Sequence, residues 1–254
     1  MSRALSLLFA IVCYAIFFAT FLYLVVFVGD LTLGAMGPKT VDNPAPTVSV
    51  GAAVVIDIAL IALFGLQHSI MARQGFKRAW TKVIPPQAER SMYVLLASLA
   101  LIILFRFWQP IDSIVWNASN PLLHDLLMLL FFLGFGIVLI STFLINHFEL
   151  FGLQQAWFHL RGHQAQPHEL RQPLFYKWVA HPLYSGFFLA FWATPHMSAG
   201  HLLLSLGMSA YMLIAIRYEE RDLTDLFGDE YRRYRSNVGM LTPKLGRGRS
   251  KSTV

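Results

Sequence analysis

The chain has 254 residues, of which 56% are hydrophobic and only 13% charged, and its mean hydropathy is positive. That balance excludes an ordinary soluble domain and indicates a membrane-embedded chain. The single cysteine, Cys13, excludes an internal disulfide and a Cys-based metal site. The formal charge of +6 sits largely in the tail "RRYRSNVGMLTPKLGRGRSKSTV", a pattern that reads as attraction to anionic lipid headgroups rather than to nucleic acid.

A hydrocarbon core of about 30 Å takes roughly 20 apolar helical residues. Segments of about that length fall at residues 4–28, 48–71, 91–108, 122–145, 178–194 and 201–217. The first is too long, and lacks a small-residue cleavage site, for a removable signal peptide, so it is expected to be a permanent helix with Cys13 in its core. The last two share one charge-free run broken only by "TPHMSAG" and read as a tight helical hairpin. The expected architecture is an all-α polytopic membrane bundle of five to six transmembrane helices, five if the hairpin is shallow. It forms a single domain: residues 1–121 a helical scaffold, 122–240 the functional part and 241–254 a basic tail.

Lys and Arg concentrate in residues 72–82, 161–177 and the tail from Arg217, whereas residues 30–49 and 109–121 carry only Lys39. The positive-inside rule then puts both termini and the basic loops in the cytoplasm, with the chemically interesting polar residues on that one side. Beyond Arg217, Leu223, Phe227, Tyr231 and Tyr234 recur at helical spacing, which predicts a cytoplasmic amphipathic helix, with Gly228 marking a bend.

The stretch "YKWVAHPLYSG" (176–186) opens the hairpin and "RYEER" (217–221) closes it. Singly, His181, Tyr184, Glu219 and Glu220 read as interfacial or solvated residues. An antiparallel hairpin brings all four to one membrane face, and ionisable groups at membrane depth tend to mark sites. Pro182 suits the first turn of a helix and leaves His181 at the N-cap, beside backbone N–H groups that attract a carboxylate. Glu219 and Glu220 suit a cation, for which Tyr176, Trp178 and Tyr184 offer aromatic faces. A ligand with an amine, a carboxylate and a positively charged centre satisfies all of these groups. His159, His163 and His168 are spaced by four and five, but no acid or thiol lies in register and Gly162 and Pro167 interrupt the run, so no metal is expected. Nor does a Gly-rich loop follow a strand as in soluble nucleotide-binding domains.

"HELRQPLFYKWVAHPLYSG" (168–186) followed by "RYEERDLTDLFGDEYRRY" (217–234) resembles the S-adenosylmethionine site of integral-membrane methyltransferases related to isoprenylcysteine carboxyl methyltransferase and phospholipid N-methyltransferases. Upstream, "GLQHSIMARQGFKRAW", "ERSMYVLLASLALIILFRFW" and "INHFELFGLQQAW" resemble NnrU-like membrane proteins and the bacterial methanethiol S-methyltransferases. The resemblance implies S-adenosylmethionine as cofactor, held by His168, Leu170, Tyr176, His181, Pro182, Tyr184, Glu219, Glu220 and Tyr231. It also implies a small thiol, methanethiol, as acceptor and dimethyl sulfide as product. Many relatives carry Arg where this chain has Ala180, a function that then falls to Arg171, to Lys177 or to no residue. Thiol methylation needs a thiolate, so a base or a nearby positive charge helps at neutral pH. The candidates are His147, ranked first, with Glu149, His181 and His68, and Arg217 as a thiolate stabiliser; His68 and Arg73 are expected to line the acceptor pocket. Alternatives are a phospholipid or prenylcysteine acceptor, and an NnrU-like accessory protein that is no enzyme. Oligomeric state is not legible in one chain.

Overall fold

A computed structural model describes residues 2–31, 37–163 and 170–244. In chain order the elements are α1 (Arg3–Val28), α2 (Val50–Ala72), α3 (Gln74–Trp80), α4 (Pro86–Phe107), β1 (Ile114–Asn117), α5 (Pro121–Ile145), α6 (His147–Leu150), α7 (Leu153–Arg161), a 3-10 turn (Leu174–Lys177), α8 (Pro182–Trp192), β2 (His196–Ser198), α9 (Ala199–Phe227) and α10 (Asp229–Asn237). Five of these, α1, α2, α4, α5 and α9, are long and apolar enough to cross a membrane. The chain is an integral membrane protein built as a helical bundle.

Local chemistry sets the helix starts. Ser2, Ser49, Asn120 and Ser198 each accept a backbone N–H of the first turn at the head of α1, α2, α5 and α9. Pro86, Pro121 and Pro182 occupy first-turn positions, where the missing N–H has no helical partner to lose. Leu8, Val55, Leu129 and Ile214 are each more than half exposed, an arrangement that only hydrocarbon solvates without penalty. Between the helices, Phe27, Leu104, Trp108, Phe131, Phe191 and Leu204 form a buried core joining α1, α4, α5, α8 and α9.

The sixth traverse differs from a plain span. Helix α8 has 11 residues, about 16 Å of rise and half of the hydrocarbon thickness. The chain continues extended into β2, which pairs antiparallel with β1: Ile114 faces Ser198 and Asn117 faces His196. The "TPHMSAG" connection is therefore a strand stapled to the preceding loop, and the expected tight turn is corrected to that extent. The Trp116 indole N–H donates to the Thr194 carbonyl at 3.0 Å, and Ala118 N–H to Pro195 at 2.8 Å.

Helix α8 lies unusually close to α5. A methyl group built on Gly186 would sit 2.6 Å from the Gly134 carbonyl oxygen, and one on Gly134 would sit 2.7 Å from that of Gly186. Small residues on both helices permit this backbone approach and thereby set where the first turn of α8 emerges.

Helix α9 is 29 residues long, about 43 Å and longer than the hydrocarbon is thick. Its last turns, with Glu219 and Glu220, stand at the same end as the start of α8. The expected amphipathic helix beyond Arg217 is two pieces: Leu223 and Phe227 lie on the continuing α9, and Gly228, at φ +56°, starts α10 with Tyr231 and Tyr234. A positive φ suits glycine because it has no Cβ to clash. The four residues still share one apolar cluster with Leu170, Ala180 and Val238.

Candidate active site at the basic end of the bundle

His181 is the N-cap of α8, and no side chain caps that helix. Its position is held by the chain's C-terminal part. His181 N–H donates to the Met240 carbonyl at 3.1 Å, Ala180 N–H to Gly239 at 2.8 Å, and Gly239 N–H back to Trp178 at 3.1 Å. The Ser185 hydroxyl donates to the Leu241 carbonyl at 2.6 Å. Residues 178–181 and 239–241 thus form a short paired ribbon under the start of the helix.

The return of α9 brings the acids to this point. His181 Nε2 lies 3.2 Å from Glu220 Oε1, and His181 Nδ1 lies 3.8 Å from Glu219 Oε1. Tyr184, one turn into α8, packs its ring against that of His181 at 5.8 Å. Glu220 is also paired with the Arg235 guanidinium of α10. The two acids therefore differ. Glu220 already faces a cation and an imidazole, whereas Glu219, with its side chain 44% exposed, has no Lys or Arg partner among the described residues. Ala180 is buried against Tyr231, Tyr234 and Val238. Arg171 donates to the Ile145 carbonyl at 3.2 Å, and the guanidinium that meets Glu220 comes from Arg235.

Tyr176 and Tyr231 wall the same place. The Tyr234 hydroxyl donates to the Tyr176 carbonyl at 2.7 Å. Tyr231 is 2% exposed and its hydroxyl has no hydrogen-bond partner among the described residues, a costly state for a buried polar atom without a ligand. Burial first, then the negative charge of Glu219, raises the Tyr176 phenol above its ordinary range. Burial, then Glu220 and Glu219, does the same to Tyr231, and burial pushes Tyr234 up to about 12. All three remain neutral hydrogen-bond donors at neutral pH. Leu170 packs behind them in the same cluster, and His168 lies outside the described residues.

The wall from α2 and α4 adjoins these acids. The Tyr93 hydroxyl and His68 Nε2 are 2.7 Å apart, while His68 Nδ1 is buried without a partner. His68 packs between Phe64 and Tyr211, which places this wall beside α9. Arg73 pairs with Asp222 at 3.4 Å and covers the Tyr218 ring at 4.7 Å, tying the end of α2 to the end of α9.

Three expected catalytic residues lie elsewhere or are already engaged. His147 is 3% exposed; its Nε2 meets the Tyr14 hydroxyl at 2.8 Å, its Nδ1 meets the Thr142 hydroxyl at 2.8 Å, and its ring stacks on Phe143 at 4.0 Å. With both nitrogens committed, it is a staple between α1, α5 and α6, and neither nitrogen is free for a thiol proton in this arrangement. Burial pushes its imidazole below the ordinary range, so it is neutral at pH 7. Glu149 accepts from Asn146 at 2.8 Å within the same turn. Arg217 is exposed on α9, with no hydrogen bond or ion pair among the described residues. His159, weighed for a metal, is 3.3 Å from Gln87, and among the described residues no three His, Cys, Asp or Glu side chains form a group fit for a metal ion.

Sequence reasoning missed Tyr93, Tyr211 and Arg235. Two carried a local signal: Tyr211 stands eight residues before Glu219, and Arg235 four after Tyr231, each pair on one helix face. Tyr93 meets His68 across helices and had none.

Bundle and site together define a polytopic membrane protein with a paired acid, histidine and tyrosine chamber at one face. The chain belongs to the NnrU family, whose model, described as NnrU protein, matches residues 57–243. Among its relatives is the methanethiol S-methyltransferase of Mycobacterium tuberculosis, 46% identical over 243 residues, covering 96% of this chain and 98% of that protein. Methanethiol S-methyltransferase 1 of Bradyrhizobium diazoefficiens is 48% identical, covering 95% and 83%. Nurim of Xenopus laevis is 32% identical over 180 residues, covering 66% and 61%. No solved structure matches the chain.

Proposed function

We propose that this chain transfers a methyl group from S-adenosylmethionine to methanethiol, releasing dimethyl sulfide and S-adenosylhomocysteine at the cytoplasmic face of a bacterial inner membrane. Support for the acceptor comes from relatives named for that reaction over nearly the whole chain. The observation that carries the donor is the chamber's unmet polarity: a buried Tyr231 hydroxyl without a partner beside a Glu219 carboxylate without a Lys or Arg. Those residues fit a ligand that is cationic at one group and anionic at another. Residues 122–240 supply this donor side, and α2 and α4 the acceptor side.

When bound, the donor supplies an electrophilic methyl group on a positively charged sulfur. Glu219 and the faces of Tyr176 and Tyr184 hold the positive groups. The uncapped first turn of α8, at Pro182–Tyr184, and the Tyr231 hydroxyl receive the carboxylate. His168 and Leu170 close the chamber from the loop that leads into Tyr176. His68, oriented by Tyr93, takes the thiol proton through Nδ1, and Arg73 holds the end of α2 beside it. The donor would give up its methyl group to the thiolate sulfur and leave as the neutral thioether, with the thiol proton held on His68. Charge is cancelled in that step, so an apolar, water-poor surround favours it, and holding the two sulfurs in line supplies several kcal/mol.

The direct test gives purified protein methanethiol and S-adenosylmethionine and measures dimethyl sulfide in the headspace. Its production in proportion to enzyme supports the reading. Cofactor turnover without dimethyl sulfide, with label passing to lipid, would replace the acceptor; no cofactor binding at millimolar concentration would favour an accessory protein.

His147→Ala separates staple from base. It leaves the Tyr14 hydroxyl unmet, costing about 1–3 kcal/mol at most, while the Thr142 hydroxyl keeps its bond to the Leu139 carbonyl at 2.7 Å, so thermal stability falls while kcat per folded molecule holds. The sign of the pH effect is set by the lowered imidazole: beneath about pH 6.5 the unfolded chain takes the proton more readily, so stability falls with acidification, and His147→Ala flattens that part of the profile. Thermal melts between pH 7.5 and 5 check it; loss of kcat with unchanged melting would reinstate His147 as a base.

A further inference from the structure

At the end of the bundle opposite the His181–Glu220 chamber, the seam between α1 and α4 opens into a groove of about 360 Å³, lined by Ala19, Tyr23, Ile102 and Phe105 with Lys39 and Arg106 at its edge. The lining is apolar and its outer residues, Ala19 and Ile102, are exposed on the lipid-facing surface. Lys39 is held in place: its Nζ donates to the Arg106 carbonyl at 3.1 Å, and the Tyr23 hydroxyl donates to the Lys39 carbonyl at 2.8 Å. Neither Lys39 nor Arg106 has an ion-pair partner among the described residues. The carboxylate that acts on Lys39 belongs to Asp57, whose Oδ1 is already bonded to Gln109 N–H at 2.8 Å, and Arg106 otherwise faces only the Phe107 ring at 5.6 Å.

The two like charges at the groove's edge repel each other, neither is ion-paired, and the groove beneath them is too apolar to be favoured by water. One molecule meets both needs. We infer that the groove binds one anionic phospholipid, its phosphate between Lys39 and Arg106 and one acyl chain along the α1–α4 seam. Long basic side chains at a membrane boundary keep their heads at headgroup level, and each basic residue near the surface contributes about 1 kcal/mol toward an anionic lipid. Lys39 is the sole Lys or Arg between residues 30 and 49, and it meets Arg106 from the last turn of α4. The site is independent of the methyl-transfer reading.

The test is lipid binding and thermal unfolding of the purified protein in detergent with added phosphatidylglycerol or phosphatidylcholine, read by native mass spectrometry and by melting. Wild type is expected to retain phosphatidylglycerol about tenfold better and to melt higher with it. Lys39→Gln combined with Arg106→Gln is expected to abolish that preference. So is Ala19→Trp, which fills the groove and leaves both charges in place; if the double variant does not fold, this one decides. Equal retention of the two lipids by wild type, or a preserved preference in either folded variant, overturns the inference.

Discussion

Glu219→Gln is expected to weaken S-adenosylmethionine binding about tenfold to a hundredfold, with little change in melting temperature. A charge-assisted hydrogen bond contributes about 1.5–3 kcal/mol, and the half-exposed side chain puts the effect toward the lower end. The contrast with Glu220→Gln carries the argument. Glu220 sits between His181 and Arg235, so its neutral variant leaves a guanidinium facing an imidazole and is expected to lose stability as well as binding. Isothermal titration with melting curves separates the two. Equal losses of binding and of stability in both variants would mean that Glu219 is not the acid left free for the ligand.

His68→Gln is expected to lower kcat with methanethiol about a hundredfold at pH 7, within the range for loss of a general base, while cofactor affinity stays close to wild type. Glutamine preserves a polar partner for the Tyr93 hydroxyl, which meets His68 Nε2 at 2.7 Å, but has no nitrogen that takes up a proton. The deficit should shrink as pH rises and more of the acceptor is already thiolate, a dependence that a purely structural role does not produce. Tyr93→Phe is expected to show a smaller loss, since it frees the ring to turn without removing it. A pH-independent deficit would assign His68 to packing between Phe64 and Tyr211.

The parts of the fold legible beforehand rest on strong local physics. Long apolar runs marked the spans, and Pro182 after His181 marked where α8 begins, because proline restricts its neighbour and needs no N–H partner. From those two facts follows the meeting of His181 with Glu220. The pairing of β1 with β2 was not legible: Ile114–Asn117 and His196–Ser198 are too short to show an alternating pattern. The extension of α9 past Arg217 was hidden because composition turns polar where the helix leaves the membrane, although its backbone periodicity does not change there. The setting of His147 was not legible for a different reason. Its partner Tyr14 is 133 residues away, and a histidine closing a span looks the same in sequence whether its nitrogens are engaged or free. Arg235 escaped notice among the basic residues of the tail, where only the fold separates one that reaches Glu220 from those that face solvent.

The central claim is that the start of α8 and the end of α9 act as one chamber for the cofactor. A double-mutant cycle on S-adenosylmethionine affinity with His181→Gln and Glu220→Gln tests it most directly. The account predicts that the double variant binds far better than the product of the two single losses implies, by at least about 0.5–1 kcal/mol of coupling. Additive losses, or a loss from only one of the two, would contradict it.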